Sequence, residues 1–158
     1  MKENSNFYVD ENLKLKEYLE KAKTLYIKNN EIYCPYFQQK ITLNSDGFNH
    51  LQFKPNRMPR NISAQIRKLS LLKRALEIIP KIGTLQEYRT RIEKVGKKGN
   101  DNFFKTKNVQ YWGFHAILQD KKNKIIIVLK QIGDGKIIFW SVMADSKQKL
   151  YKDGIEEE

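Results

Sequence analysis

Two side chains in this sequence are suited to move a proton near neutral pH, His50 and His115, because an unperturbed imidazole titrates close to that range. His50 stands in GFNHLQFK, directly ahead of a basic stretch. Residues 47–76 hold no acid, while Lys54, Arg57, Arg60, Arg67, Lys68, Lys73 and Arg74 all fall within them. A merely solvated face mixes its signs; an unbroken basic run is better explained by phosphates that must be held. A proton-transfer group beside arginines is the equipment for cleaving RNA without a metal. The neighbouring 2′-hydroxyl is the nucleophile, the imidazole its base, and the guanidinium of Arg57 or Arg60 takes up the charge of the pentavalent phosphate.

Lys130 is the second unusual residue, because it interrupts an otherwise apolar strand pattern, KIIIVLKQI. A cation there is costly unless it is paired, binds an anion or snorkels to solvent. With Asp134-Gly135 as a two-residue hairpin turn, Lys130 falls opposite Phe139 and Val128 opposite Ser141. With Lys122-Asn123 as another, His115 falls opposite Lys130. His115, Lys130 and Ser141 are then expected on one sheet face. Plainer roles exist for each: a core histidine mid-strand at 115, a helix-end histidine at 50, solvated charges at 57 and 60. Aromatics interleave with the bases at Phe48, Phe53, Tyr111, Trp112 and Trp140. Trp140 is the ring chosen to stack on an unpaired base, beside Lys54, Arg60, Arg67, Lys68 and Arg74 as nucleic-acid contacts.

The bulk composition agrees. Lys and Arg number 30 against 18 Asp and Glu, a formal charge of +12 that calls for a polyanionic partner: nucleic acid, an acidic protein or an anionic surface. Hydrophobic residues at 40 % exclude a disordered chain. Cys34 is the single cysteine, so neither a disulfide nor a thiolate zinc cage is expected. MKENSNFYVD lacks the apolar core of a signal peptide, and the longest apolar run, residues 125–129, is too short to cross a bilayer. Cytoplasm is the expected compartment, with no membrane partner. No paired histidines, cysteine cluster, glycine-rich phosphate loop or nucleophile elbow is present. No cofactor and no metal is expected.

The elements that must position these residues form one domain, 1–158. Residues 1–9 read as a loose leader. Asp10 caps an amphipathic helix with Leu15, Tyr18, Leu19 and Ala22 on one side. EIYCPYFQQKITL reads as two short extended pieces around Pro35, closed by the turn NSDG. Pro55 and Pro59 exclude one long helix across GFNHLQFKPNRMPRN. Ser63 caps a helix whose stripe is Ile66, Leu69, Leu72, Leu76 and Ile79, with Arg67 and Arg74 on another face. Thr84 and Glu87 form a capping-box pattern that predicts a further helix, LQEYRTRIEKV. Residues 102–144 read as an antiparallel meander, VQYWGFHAIL, KIIIVLKQI and KIIFWSVMA, with FFKTK as an added edge strand. The tail, 145–158, is polar and frayed. The fold class is α+β, with helices from the mainly helical part, 10–95, packed on a C-terminal antiparallel sheet of about four strands.

GFNHLQFK, the His115 strand and VLKQIGDGKIIFWSVM together resemble the barnase–EndoU–colicin–RelE superfamily of metal-independent RNases, in particular its phage-associated branch. The resemblance covers residues 32–144 as a pattern of elements. It implies endonucleolytic cleavage of RNA, often tRNA or ribosome-bound message, by toxins or effectors, with a protein inhibitor or antitoxin as a further partner. By the same resemblance His50 is the helix-borne acid–base and Lys130 and Ser141 are strand-borne phosphate contacts. The segment 63–95 is bulkier than the smallest members carry. Two other readings stay open: a non-catalytic basic nucleic-acid-binding protein of a mobile element, and an interaction domain for an acidic partner.

Overall fold

The computed structural model describes residues 2–145 and 154–157. Helix α1 (Lys2–Lys28) is followed by strands β1 (Glu31–Cys34) and β2 (Gln39–Thr42) and helices α2 (Ser45–Gln52) and α3 (Ile62–Ile78). Strands β3 (Glu87–Val95), β4 (Lys105–Ile117), β5 (Lys124–Ile132) and β6 (Ile137–Ala144) complete one sheet, ordered β1-β2-β6-β5-β4-β3. The fold is α+β, as expected. The sheet has six strands rather than about four, and it is mixed: β2 runs parallel to β6, joined at Thr42↔Ile138, while every other pair is antiparallel.

Several local expectations need correction. α1 begins at Lys2 rather than at Asp10, so 2–9 are helical and not a leader. The cap of α3 is Asn61, whose Oδ1 accepts from the Ala64 N–H at 2.8 Å; Ser63 donates to that same oxygen at 3.0 Å and is not itself the cap. LQEYRTRIEKV is not a helix. Its last nine residues form β3, pairing with β4 without interruption from Glu87↔Gly113 to Val95↔Lys105. The segment satisfies both periods: Leu85, Tyr88, Ile92 and Val95 would share a helix face, while Tyr88, Thr90 and Ile92 alternate with Arg89, Arg91 and Glu93 as a strand. The β4 edge decides between them, because pairing there supplies every inward backbone group with a partner. FFKTK adds no separate strand, since β4 itself starts at Lys105. Of the tail, residues 146–153 and 158 lie outside the described residues. Ile155 is not frayed but fully buried.

β5 explains the centre of the fold. Its run IIIVL is apolar without alternation because both faces are covered. Ile125, Ile127 and Leu129 join Trp112, Phe114, Phe139 and Val142 beneath the helices, against Leu72 and Leu76 of α3. Ile126 and Val128 join Val109, Tyr111, Met143 and Ile155 on the other side. Burying each such aliphatic side chain stabilises by about 2 kcal/mol, which locks the register of the strands on either side. Among the described residues no helix is long and apolar enough to cross a membrane.

Candidate functional site

Register places the side chains that matter. Val128 pairs with Ser141 as expected, but Lys130 pairs with Ile138 rather than Phe139. The β5–β6 connection is longer than a two-residue turn, with Gly133 at φ 53° and the Gly135 N–H bonded to the Ile132 carbonyl at 3.0 Å. A register shift between Val128 and Leu129 leaves Trp140 without a partner on β5, and restores the expected pairing beyond it. This bulge aims an indole out of the ladder.

α2 meets β6 at that point. Asn44 caps the helix by accepting from the Gly47 N–H at 3.0 Å, and Gly47 lies so close to β6 that a Cβ there would overlap the Phe139 carbonyl oxygen. Close approach brings His50 flat onto Trp140, ring centroids 4.0 Å apart and planes 15° from parallel. The Lys130 ammonium stands 3.6 Å from the same indole centroid, a short cation–π contact. Imidazole and ammonium thus both contact the indole that was expected to stack on a base.

Arg60 completes the stack from behind. Its Nε donates to the His50 carbonyl at 3.1 Å and its Nη2 approaches His50 Nε2 at 3.3 Å. A guanidinium only donates, so Nε2 must accept and the proton of the neutral ring sits on Nδ1. Burial first, then the charges of Arg60, Lys68 and Lys130, push the His50 pKa down to about 2. Lys130 is lowered mainly by burial, while Glu93 and Asp46 pull it back up.

The result is an open pocket of about 610 Å³. Asp46, Asn49, His50 and Phe53 line it from α2 and its C-terminal edge, at the i, i+3, i+4, i+7 spacing of one helix face. Lys54 and Arg57 line it from the following hairpin. There Phe53 bridges Pro59, the Lys54 N–H donates to the Met58 carbonyl at 2.8 Å, and Arg57 holds φ 67°. Lys130 and Trp140 line it from the sheet. Four segments thus bring together His50, Lys54, Arg57, Lys130 and Trp140, with Arg60 directly behind.

The other expected residues lie elsewhere. Ser141 is fully buried and Lys68 nearly so. The Lys68 ammonium donates to Ser141 Oγ at 3.0 Å and to the Val142 carbonyl at 3.4 Å, tying α3 to β6. Neither faces the pocket. Arg67 and Arg74 are exposed on α3, outside the pocket lining. His115 pairs with Ile126, because the β4–β5 loop spans 118–123 instead of turning at Lys122-Asn123; the Leu118 N–H bonds the Asn123 carbonyl at 2.8 Å. The shift is even, so His115 keeps the face of Lys130, but about 13 Å farther along the sheet at the strand rise of roughly 3.3 Å per residue. There its Nε2 lies 2.8 Å from Glu87 Oε2.

Sequence reasoning missed Asp46 and Asn49, having taken NSDG for a turn. The helical spacing from Asp46 to Phe53 was the available signal. Among the described residues no group of three His, Cys, Asp or Glu side chains is placed to hold a metal ion. In comparisons with known proteins, no family model, no curated protein and no solved structure matches this chain.

Proposed function

We propose that this chain is a metal-independent endoribonuclease of the barnase–EndoU–colicin–RelE type, acting at the pocket between α2 and the β5–β6 hairpin. Convergence carries the reading: an imidazole, three cations and two aromatic rings from separate segments meet in one open cavity. A phosphodiester fits between Lys130 and Arg57, whose charges stabilise the pentavalent phosphate. The substrate 2′-hydroxyl attacks phosphorus, its proton passes to His50, and the bond to the 5′-oxygen breaks as that oxygen takes a proton from water, the proton on His50 passing to solvent. The products are a 2′,3′-cyclic phosphate and a 5′-hydroxyl.

In the empty pocket His50 is neutral, as a base must be, but weakly basic. A bound phosphate anion opposes the charges of Arg60 and Lys130 and raises its pKa. It also offers Arg60 a better acceptor than Nε2, freeing that nitrogen. The pH dependence of kcat/KM reports the free enzyme and that of kcat the complex. Turnover is therefore expected to lose its acid limb at a higher pH than kcat/KM does.

One observation favours a second reading, a non-catalytic nucleic-acid-binding protein: Arg60 already occupies His50 Nε2, leaving the ring as a plate that props Trp140. Incubation of labelled RNA with the full chain in EDTA separates the two. The nuclease cleaves, and His50→Ala stops cleavage while RNA is still bound. A native chain that binds RNA firmly and cuts none of it is the second protein.

A further inference from the structure

Beyond the pair Val109↔Ile132, where β5 ends, β3 and β4 continue alone as a two-stranded arm, from Ile92↔Asn108 to Val95↔Lys105. Residues 94–107 hold five lysines against one acid, Asp101, and all five lysines are exposed. The acids within reach are spent inside the arm. Asp101 Oδ1 accepts from the Phe103 N–H at 3.1 Å. Glu93, opposite Lys107 on the ladder, gives one oxygen to Arg91 and the other to the Tyr111 hydroxyl. Among the described residues none of the five lysines is in an ion pair. The tip is closed by the Gly99 N–H on the Phe103 carbonyl at 2.9 Å and the Asn102 N–H on the Gly99 carbonyl at 3.0 Å. It leaves the Phe103 ring 74 % exposed.

This charge is in line with the pocket. Lys105 and Lys107 alternate onto the face of β4 that carries Val109 and Tyr111, and the Lys130 ammonium stands 5.4 Å from the Tyr111 ring centroid. Lys107 also lies against the β5–β6 connection: a Cβ on Gly133 would be 3.3 Å from its Cδ, one residue past Ile132 of the pocket lining. From Tyr111 to Lys105 the strand covers about 20 Å, the axial length of about six nucleotides at 3.4 Å each. A flat anionic surface would meet the tip alone. A line of ammonium groups leading out of the pocket suits a polyanionic strand with one phosphate held inside it.

We propose that the arm is a second RNA-binding site, in which Lys97, Lys98, Lys105 and Lys107 hold phosphates of the single strand leaving the pocket and Phe103 stacks on one of its bases. The site rests on the RNA-cleaving reading above and adds what that reading leaves open, the path of the substrate beyond the cleaved bond.

The test uses the full chain and fluorescent 2′-O-methyl oligouridylates of four and of twelve nucleotides. Blocking the 2′-oxygen prevents cleavage, so affinity is read alone. The comparison is with a variant carrying Lys97→Gln, Lys98→Gln, Lys105→Gln and Lys107→Gln together. Between about 50 and 200 mM salt the native affinity for the twelve-mer is expected to fall about fiftyfold more than that of the variant, which makes four fewer phosphate contacts. Both proteins should bind the four-mer alike, which also shows that the variant is folded. Phe103→Ala weakens the twelve-mer without changing its salt slope, and Phe103→Trp restores it. Equal salt slopes for native chain and variant, or a variant that loses the four-mer as well, overturn the arm and leave RNA binding at the pocket intact. A native chain that binds neither oligonucleotide overturns the RNA-cleaving reading too.

Discussion

The two histidines show how far surroundings decide what an imidazole can do. His50 is 5 % exposed, stacked on an indole, hydrogen-bonded by an arginine and pushed down to about 2 by burial and three cations. His115, farther along the sheet, is partly open to solvent and paired with a carboxylate, with its backbone N–H on Gln86 Oε1 at 2.8 Å. By side chain alone His115 has the more familiar catalytic company, an acid that would orient its ring. It does not line the pocket that holds Lys54, Arg57 and Lys130. His50 does, and burial first, then the neighbouring positive charges, keep its ring neutral.

The contrast is broken or sharpened first by activity. His50→Ala is expected to lower the rate of RNA cleavage by about 10²–10⁴-fold, the range for a lost acid–base group; His115→Ala should leave it nearly unchanged. Equal losses from both would erase the distinction drawn here.

Acid stability is the next largest effect. Unfolding returns His50 to its ordinary value of 6.5, from about 2 in the fold. Below 6.5 the unfolded chain binds a proton that the folded one refuses, so stability is full above that pH and drains away as pH falls toward 2. Between pH 7 and pH 4.5 the loss is about 2–3 kcal/mol. Urea titrations at the two pH values measure it, and His50→Phe should remove most of the difference while His115→Phe does not. A pH slope that survives in His50→Phe places the titrating group elsewhere.

Ser141→Ala gives the smallest change. Taking one acceptor from a buried ammonium costs about 1–2 kcal/mol, visible as a lower unfolding midpoint. Cleavage measured where the variant is fully folded should stay near the native rate, since Oγ faces Lys68 and not the pocket. A large loss of turnover in folded Ser141→Ala would return the serine to the site.

Much of this arrangement was legible in the chain. The cation at 130 within an apolar run, the histidine ahead of a basic stretch and the Val128↔Ser141 pairing are local patterns with physical causes, and each leads toward the pocket or its frame. What escaped depends on partners distant in sequence. Whether Glu87–Val95 becomes helix or strand turns on the free edge of β4, which no window around it contains. Lys68 looks like any other member of a basic helix until β6 supplies Ser141 and the Val142 carbonyl. The shift of His115 came from loop length, because Asp120 accepts from the Lys122 and Asn123 N–H groups, both at 3.0 Å, and so builds a wider connection than the dipeptide alone suggests.

Gly47 carries one last consequence. A single methyl at this position has nowhere to go except into the peptide of Phe139, so helix and strand would have to part, and with them the stack of His50 on Trp140. Among the described glycines this is the closest approach: a hydrogen atom where every other amino acid brings carbon sets how near the His50 ring can come to its neighbours.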